Sequence, residues 1–156
     1  MNLGIIQGRL TEPVDGKIQE FPKNWKFEFE LLKKLNLNHI EWIITKNSFD
    51  NNPLFLETLL EYPISSICAD NLIDKRFIDK EFLNKNLRPI CEYALKNKIK
   101  NITIPLLEGS NIKDKDTRRM FSRLIKNYAN NYQQLNFSFE EELITKEILE
   151  VVKLSK

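Results

Sequence analysis

The stretch LNFSFEEEL, residues 135–143, decides the fold. It begins as an apolar run with strand character and ends abruptly in Glu140, Glu141 and Glu142. Side chains alternate across a strand, so Phe137 and Phe139 share one face while Ser138 and Glu140 share the other. A strand that buries phenylalanines yet delivers acids at its carboxyl end fits a parallel sheet. The carboxyl ends of parallel strands form the working face of α/β proteins.

Working outward, four earlier runs have the same character: residues 3–8, 39–44, 64–70 and 101–107, with the last over 136–140. Helical patterns separate them. Residues 25–35 carry Phe27, Leu31, Leu32 and Leu35 at helical spacing, and Pro53 suits the first turn of a helix over 53–62. A third helix is expected over 79–97, with Phe82, Leu83, Leu87, Ile90 and Tyr93 or Ala94 on one stripe. A fourth, over 114–132, has Met120, Phe121, Leu124, Ile125 and Tyr128, and a last, over 145–154, has Ile148, Leu149 and Val152. Strict strand–helix alternation predicts parallel strands joined by helical crossovers. The 156 residues read as one domain, without linker or low-complexity segment.

The strand ends carry the chemistry. In the second run Ile40, Trp42 and Ile44 share a face and Glu41 lies on the other; in the third, Ser66, Cys68 and Asp70 share a face; Glu108 lies just beyond the fourth. Bulky apolar residues are therefore expected to meet the helices, with small and acidic ones on the opposite side. Converging carboxylates repel and lose solvation, which a divalent cation or a basic group offsets. Hard oxygen ligands suit magnesium or manganese, and added imidazole suits zinc, manganese or cobalt.

Each of these residues also has a plainer reading. Glu140 is either a charge after a strand or, in register with Ser138, a functional acid; Glu141 and Glu142 read as charges at the start of the next helix. Glu41 is either functional or tied to a structural partner such as an arginine. Asp70 either caps a turn in DNLID or joins Ser66 and Cys68. Arg9, in QGRL, holds a phosphate or carboxylate, or neutralises Glu41, and Lys17 is a weaker candidate for either job. Trp25 and Trp42 read as core.

Other classes are excluded by the totals. With 24 basic against 22 acidic residues, the charge gives no electrostatic reason to expect nucleic acid or an anionic membrane. No apolar stretch approaches the ~20 residues that span a bilayer. MNLGIIQGRL is short and lacks a basic leader region, so it reads as a first strand. Cys68 and Cys91 lack metal-site spacing and read as packing residues in a reduced, cytoplasmic chain. The single histidine, His39, starts its strand at the end opposite the acids.

The segments GIIQGRLTEPVDGKIQEFP, LKKLNLNHIEWII, ISSICADNLID, NITIPLLEGSNI and NFSFEEEL resemble, in order, successive βα units of the xylose isomerase-like barrel superfamily, of its sugar-phosphate isomerase/epimerase type. The resemblance covers about residues 3–143 and implies a (β/α)8 TIM barrel with a divalent metal (Mn, Mg, Zn or Co) at the carboxyl-end mouth. It makes Glu140 the first metal ligand, Glu108 and Asp70 acid–base candidates, and Arg9, Gln7 and Glu41 substrate contacts. The expected ligand is a small sugar or sugar phosphate, isomerised or epimerised through an enediolate. Abasic-DNA cleavage, also known in the superfamily, fits poorly because it uses several histidines and a basic groove. A full barrel needs ~250 residues. The expectation is therefore an incomplete barrel of about five βα units, truncated, lacking most metal ligands, and not active alone. The alternative is a remnant that binds a small molecule or partner without turnover. Either form leaves self-association or a complementing half-barrel open.

Overall fold

The computed structural model describes residues 2–73 and 80–155. Five strands form one all-parallel sheet: β1 (Gly4–Ile6), β2 (His39–Ile43), β3 (Ile64–Cys68), β4 (Asn101–Leu106) and β5 (Asn136–Glu141). Their spatial order is their chain order. Between and after them run α1 (Trp25–Lys34), α2 (Pro53–Leu56), α3 (Lys80–Asn86), α4 (Arg88–Lys96), α5 (Lys115–Asn131) and α6 (Thr145–Ser155).

Register explains the two faces. One row runs Trp42, Ile67, Ile102, Phe137, and the next pairs Ile104 with Phe139. These side chains meet the helices: Trp42 lies against Trp25 of α1, 5.2 Å between ring centroids, and Phe139 against Phe121 of α5, 5.3 Å. Trp42 is fully buried, and Asn52, also buried, accepts its indole N–H at 2.9 Å. On the other face run Glu41, Ser66, Asn101, Asn136, then Ile43, Cys68, Thr103, Ser138, and then the Pro105–Glu140 pair. Asn136, Ser138 and Glu140 are exposed there.

Two expected helices differ from the periodicity. The third starts, by the pattern, at Asp79, which lies outside the described residues. Its remainder divides at Leu87 into α3 and α4. Pro89 supplies no amide hydrogen and sits in the first turn of α4, so the hydrogen-bond ladder restarts there. The second helix stops at Leu56 because Glu57 turns extended and Leu59, fully buried, gives its N–H to the side chain of Asn97 at 2.7 Å.

Three buried stripes also shift. In α1 the sheet-facing residues are Trp25, Glu28, Phe29 and Leu32, while Phe27 and Leu35 are exposed. In α5 they are Arg118, Phe121, Ser122, Ile125 and Tyr128, with Met120 outside. In α6 Val151 enters the core, and Ile148, Leu149 and Val152 lie open because no described element covers that side. No helix of the described residues is long and apolar enough to cross a membrane.

Candidate functional site

The site is assembled where strands end. β1 gives way to a turn at Gly8, whose φ of 82° belongs to glycine. There Gln7 is buried, and its side-chain oxygen accepts the Ile43 N–H at 3.2 Å, prolonging the β1–β2 ladder by one rung. Its amide nitrogen is buried without a partner among the described residues. Glu28 holds the same turn. The fully buried carboxylate accepts from Gly8 N at 2.9 and 3.0 Å, from Leu10 N at 3.2 Å and from Thr11 Oγ1 at 3.2 Å.

The following loop turns back on itself at Asp15 and Gly16, both with positive φ, so that Val14 and Lys17 pair. Lys17 is exposed near that tip. Arg9 is spent within the loop: its guanidinium donates to Ile18 O and, at 2.8 Å, to Gln19 Oε1. It is therefore bonded to its own loop instead of neutralising Glu41.

Glu41 has a different set of partners. Its Oε1 accepts from Ser66 Oγ at 3.0 Å and from Thr103 Oγ1 at 2.9 Å, so the carboxylate reaches across β3 to β4. Hydroxyls, not an arginine, satisfy it. The half-buried Cys68 lies in the next row. Its thiol is pushed up to about 12, first by burial and then by the negative charges of Glu41, Asp70 and Glu140; a hydrogen bond from the Asp70 backbone pulls the other way. Acids from β2, from the turn after β3 and from β5 thus act on one sulfur.

Glu108 stands apart. It is exposed and opens a single 3-10 turn with φ of 49°. A non-glycine residue in that region is uncommon and has to be held there. Ser110, buried next to it, donates to Pro105 O at 3.0 Å and Leu107 O at 2.9 Å and supplies the restraint. His39 packs at the amino end, its imidazole filling the space that a Cβ on Gly4 would take.

Glu41 and Glu140 thus lie on the same sheet face, Glu41 tied to Ser66 and Thr103 and Glu140 exposed opposite Pro105, while Arg9 is bonded within its own loop. Among the described residues no three His, Cys, Asp or Glu side chains are placed to hold a metal ion. No protein-family model matches the chain, and a search of curated proteins finds no match.

The buried thiols and phenol set an alkaline limit on stability. Cys68, Cys91 and Tyr128 are each raised to about 12, burial being the largest cause. Their ordinary values are 9.0 for the thiols and 10.0 for the phenol, so above pH 9 the unfolded chain binds fewer protons than the folded one. Stability is then full below pH 9 and falls as pH rises toward about 12. Urea midpoints across this window should decline, and Cys91→Ala should flatten the decline. A midpoint constant through the window contradicts the burial of these groups.

Proposed function

We propose that the five βα units are part of a (β/α)8 barrel of the xylose isomerase-like kind, and that the protein acts as a sugar or sugar-phosphate isomerase or epimerase. The observation that carries this is the pairing of sequential strand order with a sheet face on which Asn136, Ser138 and Glu140 of β5 are exposed. Right-handed crossovers taken always in the same direction put every helix on one side. A doubly wound sheet reverses its order and covers both faces; a barrel does neither. Glu140 lies opposite Pro105 near the end of β5 and Asp70 follows β3, at the strand ends where a barrel binds its substrate.

In this reading Asp70 or Glu108 takes the proton from the carbon next to a substrate carbonyl. The electron pair moves onto the carbonyl oxygen to give an enediolate, and returning the proton at the neighbouring carbon or opposite face gives the isomer or epimer. Glu41 orients a hydroxyl, Gln7 holds the β1 end of the site in place, and the guanidinium N–H groups of Arg9 not used by its loop face an anionic group. Glu140 is the side chain offered to a cation whose remaining ligands the described residues do not supply. Both free thiols suit a cytoplasmic setting. The open edges at β1 and β5 suit self-association or a complementing half-barrel.

A second reading is favoured by the bonding of Arg9 within its own loop: a module that binds a small polyol or a partner chain without turnover. Exchange separates the two. Protein is incubated in D2O with aldose and ketose phosphates and Mn, Mg, Zn or Co salts. The enzymatic reading predicts deuterium at the substrate α-carbon, lost in Asp70→Asn or Glu108→Gln. Absence of exchange with every sugar and metal, in folded protein, leaves the binding module.

A further inference from the structure

We propose that Arg118 is a positioning residue that clamps together the two segments flanking the mouth of the polar face. The proposal rests on reading that mouth as the ligand-binding end. Arg118 belongs to α5 and is 5% exposed. Its Nη1 donates to Ile112 O at 3.1 Å and Lys113 O at 2.9 Å, both in the loop that carries Glu108. The same Nη1 lies 3.2 Å from Glu147 Oε1, and Nε donates to Glu150 Oε2 at 3.0 Å, both on α6, the helix that follows Glu140.

One planar, always-charged fork thus spans the two chain segments that leave the paired ends of β4 and β5. Burying a guanidinium is costly, and an apolar residue of similar size often stabilises a fold as well or better. What an apolar residue does not supply is a fixed distance between two carbonyls and two carboxylates. Neighbouring contacts follow the same line. Lys113 Nζ pairs with Glu142 Oε2 at 2.6 Å, and Glu147 also accepts the Ile144 N–H at 3.3 Å, tying the start of α6 to the acid that Arg118 holds. Beyond the paired strand ends, the loop at Ile112–Lys113 and the start of α6 therefore move as one piece while Arg118 is in place.

The test is hydrogen exchange read by mass spectrometry on the whole chain, in wild type, Arg118→Met, Arg118→Lys and Val151→Ala. Val151 anchors α6 in the core, so its variant reports simple loosening of the helix. The clamp predicts that Arg118→Met speeds exchange on the order of tenfold in residues 107–114 and 141–147 together, while β2 stays at wild-type rates. Arg118→Lys keeps the charge without the fork and should rescue little; Val151→Ala should affect α6 but not 107–114. If Arg118→Met does not fold, Glu147→Gln with Glu150→Gln replaces it, and faster exchange in 107–114 again supports the clamp. Unchanged exchange in 107–114, full rescue by lysine, or the same pattern from Val151→Ala overturns it. None of these readouts requires a substrate, so the result stands whatever the deuterium-incorporation assay gives.

Discussion

Replacing Glu28 with alanine is expected to lower stability by about 3 kcal/mol, a large share of the 5–15 kcal/mol that holds a domain of ordinary stability. The reason is in the partners. Gly8 N, Leu10 N and Thr11 Oγ1 all point at this one carboxylate, the first pair of bonds buried and the others part-buried. Alanine leaves those donors without an acceptor in a buried turn, and each orphaned group costs about 1–3 kcal/mol less whatever water recovers. Glu28→Gln keeps the shape but turns an amide N–H₂ toward donors, so about 1–2 kcal/mol is expected. Urea unfolding with an unchanged slope measures both. An alanine variant within ~0.5 kcal/mol of wild type would mean the turn at Gly8 is held by something else.

Trp42→Ala is expected to cost as much or more, about 3–5 kcal/mol, through the transfer and cavity terms of a fully buried indole. Its ring is a shared neighbour of Phe21 and Trp25, each 5.2 Å away by centroid, so the void opens at the centre of the sheet–helix layer. Trp42→Phe should cost less. It keeps much of the packing, and the Asn52 oxygen that loses the indole N–H still accepts Leu54 N at 3.1 Å. Unfolding midpoints that rank phenylalanine between wild type and alanine fit this account; equal losses would assign the effect to the hydrogen bond alone.

The five strands were legible because one sheet face is apolar and the other polar, which makes residues such as Ile40, Trp42 and Ile44 alternate with Glu41. The same alternation places Glu41 and Glu140 on the polar face, Glu41 in the row of Asn101 and Asn136 and Glu140 opposite Pro105. What the pattern did not disclose is tertiary. Glu28 looks like a favourable acid in the first turn of α1, and Arg118 like a surface cation of α5. Yet position 28 shares a stripe with Trp25, Phe29 and Leu32, and position 118 shares one with Phe121, Ser122 and Ile125. A charge on the buried stripe of a helix was the available signal in both cases. The short α2 carried no such mark, since Asn97, thirty-eight residues from Leu59, supplies the acceptor that ends it. The loop closure that keeps Arg9 from Glu41 depends on where Ile18 and Gln19 return, which spacing alone does not fix.

The account stands on acids from separate strands converging over one side of the sheet, and the thiol of Cys68 reports on that directly. Its titration can be followed by thiolate absorbance in wild type, Glu41→Gln, Glu140→Gln and the double variant, with Cys91 replaced by alanine throughout. The account predicts a thiol near 12 that each substitution lowers and the pair lowers further. A thiol that titrates at its ordinary value, or one indifferent to both glutamates, would mean that these carboxylates do not share a hollow.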